Sequence, residues 1–304
     1  MKKLYRISEG RIAESQDADA LVHVFVNPDE SEKRFLVDQW KVDEHTLNSA
    51  LDPDELSRLE FEPEHVAIIY KRPRNYSGDE QLMFKVSSAG IFAFKDRLFI
   101  VLSEDVPLFQ GKVFTKVAGF GDLLLRLLYG SIHHYLEHLK IINAITDDLE
   151  KKVSASLENR YLAHFFTLQK SLVYYLNSIN SNGILMERIK NASSKLGFSH
   201  DQIELLDDII IENNQCYRQA EIYSNILASL MDARVSIVSN NLNILMKTLN
   251  LITIGIMLPT LVVSAFSMNV KIPFQQYPHA FWLIVGLAAA SLVGGAVWWR
   301  LKKW

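Results

Sequence analysis

The chain has 304 residues, with 32 Lys and Arg against 35 Asp and Glu, and a formal charge of only −3. That length suits two domains better than one, and the near-neutral balance argues against a nucleic-acid partner, which calls for a basic stripe. Mean hydropathy is +0.05, so the chain is not apolar throughout, and the single cysteine, Cys216, excludes an intramolecular disulfide and fits a reducing cytosolic setting.

The first residues, Met1-Lys2-Lys3-Leu4-Tyr5-Arg6, are basic, but no apolar core of signal-peptide length follows. This segment is expected to stay on the side of synthesis. Short apolar and β-branched runs then predict strands over 21–26, 66–70, 81–86, 91–94 and 97–102. Arg72-Pro73, Asn75 and Ser77-Gly78 predict turns. Helix starts are expected at Asp43-Glu44-His45-Thr46-Leu47 and at Asp52-Pro53-Asp54-Glu55-Leu56, where acids fill a first turn. Residues 1–118 therefore read as an α/β domain with a mainly strand core.

Over 119–198 the period becomes helical: Leu123, Leu124, Leu127, Leu128, Ile132, Leu136, Leu139 and Ile142 recur every three or four residues. A second helix is predicted over roughly 156–191. Gly197 suits a C-cap, and Ser199 with Gln202 spells a capping box that starts a new helix. No stop follows until about 265, so residues 199–266 predict one helix ~100 Å long. A stripe that long cannot be buried in one small domain, which predicts packing against other copies of the chain.

The end of that helix, from about 242, is apolar enough to span a hydrocarbon core, with its membrane part at about 245–266. A second span is predicted over 281–299. The loop at 267–280 carries one base, Lys271, whereas the tail at 300–304 is Arg300-Leu301-Lys302-Lys303-Trp304. Positive charge favours the cytoplasmic side, which predicts both termini in the cytoplasm; Trp282, Trp298, Trp299 and Tyr277 suit the interfaces. In the first span Asn243, Met246, Asn250, Thr253, Met257 and Ser264 fall near one face, with Leu249 and Thr260 beside them. Uncharged polar groups there suit a water path for a hydrated cation, Mg²⁺ above all, because it dehydrates reluctantly. They equally suit helix–helix contact, and spacing leaves both readings open.

The sequence Asn243-Ile244-Leu245-Met246-Lys247-Thr248-Leu249, followed by Pro259-Thr260 and by Phe266-Ser267-Met268-Asn269, resembles the CorA family of divalent-cation transporters. Its Asn-x-x-Met-Lys-x-Leu stretch and Tyr-Gly-Met-Asn signature align there, and the likeness of organisation covers the whole chain. The resemblance implies an α+β membrane protein: a cytoplasmic α/β domain, a long stalk helix, two C-terminal spans and a homopentamer in the inner (plasma) membrane. It implies uptake of Mg²⁺, and of Co²⁺ or Ni²⁺, down the electrochemical gradient, with no enzymatic activity. Asn243 would form a polar ring in the pore, and Leu249 and Met257 apolar constrictions. Ser267, Met268 and Asn269 would form the outer mouth, with the Asn269 oxygen holding the hydrated ion. Asp232 would form an acidic ring at the inner exit. Asp208, facing an acid such as Glu62 or Glu64, would hold regulatory metal that keeps the channel shut.

The chain departs from the signature at two positions. Phe266 replaces Tyr, and Ser267 replaces Gly, where a left-handed backbone would cost serine about 1 kcal/mol or more. That departure keeps three alternatives in view: another ion such as Zn²⁺, export, or a non-conducting membrane-anchored metal sensor. Among other candidates, His133, His134 and His138 form a cluster in which His134 and His138 have the spacing to share a metal, but a surface or packing role is expected. Asp147-Asp148-Leu149-Glu150 reads as a solvated face, and no nucleophile elbow or phosphate loop is visible.

Overall fold

Seven strands form one sheet in the order β2-β1-β3-β7-β6-β5-β4. They are β1 (Lys2–Ser8), β2 (Arg11–Ser15), β3 (Val22–Val26), β4 (Arg58–Phe61), β5 (Val66–Pro73), β6 (Val86–Ala93) and β7 (Leu98–Leu102). All neighbours are antiparallel except β3 and β7. The structure is a computed structural model that describes every residue except 9, 18, 77–81, 110–111, 156–159, 271–272, 274–277 and 303–304. The turn expected at Ser77-Gly78, the first residue of the strand expected at 81, the first residues of the helix expected from 156, Lys271 and Tyr277 of the loop, and Lys303 and Trp304 of the tail lie outside the described residues.

Successive strand residues point to opposite faces, and here both faces are covered. Val22, Val24, Ile68, Tyr70, Ala89, Ile91, Leu98 and Ile100 enter one core, while Phe25, Ala67, Ile69, Phe92, Phe99 and Val101 enter another. Two-sided burial is why the central strands read as continuous apolar runs rather than as alternation. The smaller core is closed by a wide π turn over Phe35–Gln39, which follows the short α1 (Glu30–Arg34), and by α2 (Glu44–Ser49). Asp29 caps α1 in a reciprocal box with Glu32, and Asp43 caps α2 by accepting from the Thr46 N–H at 2.9 Å. The larger core is closed by α3 (Phe120–Ala155), α4 (Arg160–Asn191) and the first part of α6 (His200–Phe266), with the single turn α5 (Ser193–Leu196) between them.

Polar pegs fix α3 and α4 to the sheet. β4 is short and leaves the backbone of Lys71 without a strand partner on that side. Asn182 fills the gap: its Oδ1 accepts from the Lys71 N–H at 2.8 Å and its Nδ2 donates to the Lys71 carbonyl at 2.7 Å. Ser131 donates to the same carbonyl at 2.9 Å. Buried backbone groups left without such partners would each cost about 1–3 kcal/mol.

Several elements differ from the sequence expectation. Residues 52–56 form turns, not a helix, because their carbonyls are taken elsewhere: Ser88 Oγ donates to Asp52 O at 2.5 Å and the buried Lys71 Nζ to Pro53 O at 2.6 Å. The stretch before Val86 is not a strand. Leu82 turns the chain with φ 68°, and Phe84 is buried against Tyr76, their ring centroids 4.5 Å apart. Residues 91–93 of the run at 91–94 are the end of an eight-residue strand, and Arg72-Pro73 continues β5 instead of turning. Strands β1, β2 and β4 and helix α1 add to the expected set.

The helix junction is as expected. Gly197 has φ 72°, and Ser199 and Gln202 exchange bonds of 3.0 and 3.3 Å before α6 begins. The chain divides into two compact units, Met1–Met231 and Asp232–Trp304. The second holds the rest of α6 and helix α7 (Ala280–Lys302). Both helices are long and apolar enough to cross a membrane, and none of either apolar window is buried. Apolar surface left this open fits a lipid-facing hairpin, not the core of a soluble protein.

Candidate functional site

α6 packs on α7 through Leu251, Ile254, Gly255 and Leu258, which with Gly294, Gly295 and Trp298 line one shared groove. The approach is close: a methyl on Gly295 would lie 2.7 Å from Leu258 Cδ1. At about 100° per residue, Asn243, Met246, Leu249, Asn250, Thr253, Met257, Thr260 and Ser264 span an arc of roughly 120°, centred roughly 130° away from the α7-facing side. All eight are exposed in the protomer. This polar face is therefore not a contact between the chain's own spans. Thr253 and Thr260 donate their hydroxyls to the carbonyls of Leu249 and Ile256, at 2.9 and 2.7 Å.

At the end of α6 the Ser267 N–H and Oγ both donate to the Ser264 carbonyl, at 3.1 and 3.0 Å. Among the described residues only Asn27, Lys41 and Leu82 combine a side chain with positive φ. Ser267 is not among them, so the strain expected from replacing glycine does not arise. Met268 and Asn269 follow, both exposed.

The four acids considered for metal, Asp208, Asp232, Glu62 and Glu64, are all exposed. Glu62 N–H donates to the His65 carbonyl at 2.9 Å in a tight turn, which presents Glu62 and Glu64 at the surface. Among the described residues no group of three or more His, Cys, Asp or Glu could hold a metal.

His134 and His138 do meet, with Nε2 atoms 3.1 Å apart, and His138 Nδ1 lies 2.6 Å from Tyr175 Oη. Burial first, then the neighbouring His138, holds His134 down at about 4, and burial does the same to His138. Both are neutral at physiological pH and serve as a hydrogen-bonded core chain.

His134 also borders a cleft of about 600 Å³ with Tyr70, Arg72, Asn75 and Ser131, walled by Leu108 and Phe114. Sequence reading missed it. Arg72 sits in what read as a turn, and only the extension of β5 through Pro73 carries it beneath α3.

Two long, exposed apolar helices following an α/β unit have the outline of a membrane protein. A sequence model of the CorA-like Mg²⁺ transporter protein family matches residues 23–303, and the chain belongs to that family of ion transporters. The cobalt/magnesium transport protein CorA of Methanocaldococcus jannaschii is 24% identical over 269 residues, covering 85% of this chain and 83% of that one. Its counterpart in Thermotoga maritima is 22% identical over 274 residues, covering 85% and 75%. The complete structure of the M. jannaschii CorA magnesium transporter superimposes with a TM-score of 0.80 at 21% identity, covering 98% of this chain and 96% of that one.

Proposed function

We propose that the chain assembles as a homopentamer in the inner (plasma) membrane, with both termini cytoplasmic, and lets hydrated Mg²⁺ enter passively. The carrying observation is the exposed, uncharged face of α6 on the side away from α7. In a ring of copies that face would line a central path. Its amide and hydroxyl oxygens would accept hydrogen bonds from an ion's water shell without stripping it. Asn269 would receive the ion at the outer mouth, and Leu249 and Met257 would narrow the path. The membrane potential would supply ~2.3 kcal/mol per elementary charge per 100 mV. Asp208, with Glu62 or Glu64 of an adjacent copy, would bind cytosolic metal and close the stalk, since losing the metal leaves like charges facing one another, and Asp232 would form an acidic ring at the inner exit.

The test is growth of a strain lacking its Mg²⁺ importers, combined with Mg²⁺ flux into proteoliposomes. Rescue and flux that both fail when Asn269 becomes Ala support the reading; absence of flux from well-folded protein refutes it. A second reading, Co²⁺ as cargo, is favoured by the relatives' description as cobalt/magnesium transport proteins, and competition between the two ions in the same vesicles separates them.

A further inference from the structure

We propose that the cleft between β5 and α3 binds a small organic anion, its oxyanion on Arg72 and its body against Leu108 and Phe114. Arg72 is 9% exposed, yet its guanidinium pairs with no carboxylate among the described residues, and its Nη1 has no hydrogen-bond partner. Buried arginines are normally paired, and an orphaned buried donor asks for a partner. Arg72 borders the cleft, which is the open space beside the cation, while Nη1 itself is closed off from solvent. The other polar groups suit an anion: Asn75 borders the same space, and His134, backed by His138 and Tyr175, brings a ring nitrogen without a second fixed charge.

Size and lining narrow the ligand. A space of about 600 Å³ far exceeds a bare inorganic ion, and Leu108 and Phe114 offer apolar wall; pockets of this kind hold compact organic ligands. Glu137 at the rim, 3.5 Å from His133, disfavours negative charge there. The ligand therefore carries its charge at one end, as a carboxylate or a phosphate monoester.

The test uses the full-length protein in detergent, free of divalent metal and chelators, with binding measured by calorimetry. AMP and hexanoate are compared with inorganic phosphate and acetate, the same oxyanions without a body. Arg72→Met removes the charge and keeps much of the stem. Gly130→Leu plugs the cleft: Gly130 borders it, and a methyl built there meets nothing within 4 Å, so its Cβ brings no clash, and circular dichroism checks the fold of both variants. The expected result is that AMP or hexanoate binds about tenfold or more tighter than its body-less counterpart, and that each folded variant weakens this by about tenfold or more; which of the two binds identifies the oxyanion. Absence of binding at about 10 mM, equal binding of the body-less ions, or insensitivity to either folded variant overturns the proposal.

Discussion

The close approach of β6 to the end of α2 at Gly90 yields a quantitative prediction. A methyl placed on Gly90 would sit 2.5 Å from Ala50 Cβ and 3.1 Å from Phe92 Cε2. Comfortable carbon contacts lie near 3.5–4.0 Å, so α2 must retreat by about 1 Å. Neither Ala50, fully buried at the end of α2, nor Phe92, fully buried in the strand, has a side chain free to swing aside. Overpacking of this kind costs about 1–3 kcal/mol, against a gain of at most about 1 kcal/mol from stiffening the unfolded chain. A net loss of about 1–2 kcal/mol corresponds to a fall in melting temperature of roughly 2–8 °C for a unit of this size. The assay is thermal unfolding of a Met1–Met231 fragment carrying Gly90→Ala, Ala50→Gly, or both. Ala50→Gly alone should destabilise, because it empties a buried site, but in the double variant it should recover most of the Gly90→Ala loss. A Gly90→Ala protein as stable as wild type, or strictly additive effects, would refute the reasoning.

Three other predictions concern the buried histidines, the thiol and the outer loop. His134 and His138 have folded pKa values depressed from 6.5 to about 4, so the unfolded state binds more protons between those limits and stability falls as pH drops from about 6.5 towards 4; His138→Gln should flatten that part of the melting-temperature profile. The Cys216 thiol is buried and pushed up to about 12, chiefly by burial, so iodoacetamide at pH 8 should label it only after unfolding; rapid labelling of the native protein would contradict the packing of α6. Ser267→Gly should leave Mg²⁺ flux within about twofold of wild type, as expected of a substitution that relieves no strain; flux seen only in the glycine variant would restore the strained-signature reading.

What the sequence revealed, and what it hid, divides along physical lines. The spans, the long helix and its start were legible because composition, 3.6-residue periodicity and a capping box are local signals: Ser199, Gln202 and Gly197 act within a few residues of one another. The 52–56 segment misled because its acids and proline do suit a helix, and only Lys71 and Ser88, distant in sequence, claim its carbonyls. β1 was hidden because it lies one strand in from the sheet edge and is only half covered, so Lys2 and Arg6 stay exposed and interrupt its apolar run. Of the candidate site, the polar face of α6 could be drawn from spacing alone. That it points away from α7 could not, since this depends on Gly295 letting the second helix close onto Leu258. Arg72 was out of reach for the same reason, as nothing local distinguishes a buried cation from a turn residue before proline.

The threonines of α6 carry a last implication. By returning their hydroxyl protons to carbonyls one turn back, Thr253 and Thr260 leave only lone pairs directed outwards. Such a wall behaves like the rim of a neutral ether macrocycle: it is electron-rich without bearing a formal charge. If this face lines the path proposed above, preference for cations over anions would require no ionised group, and acidification that would silence a ring of carboxylates would leave it intact.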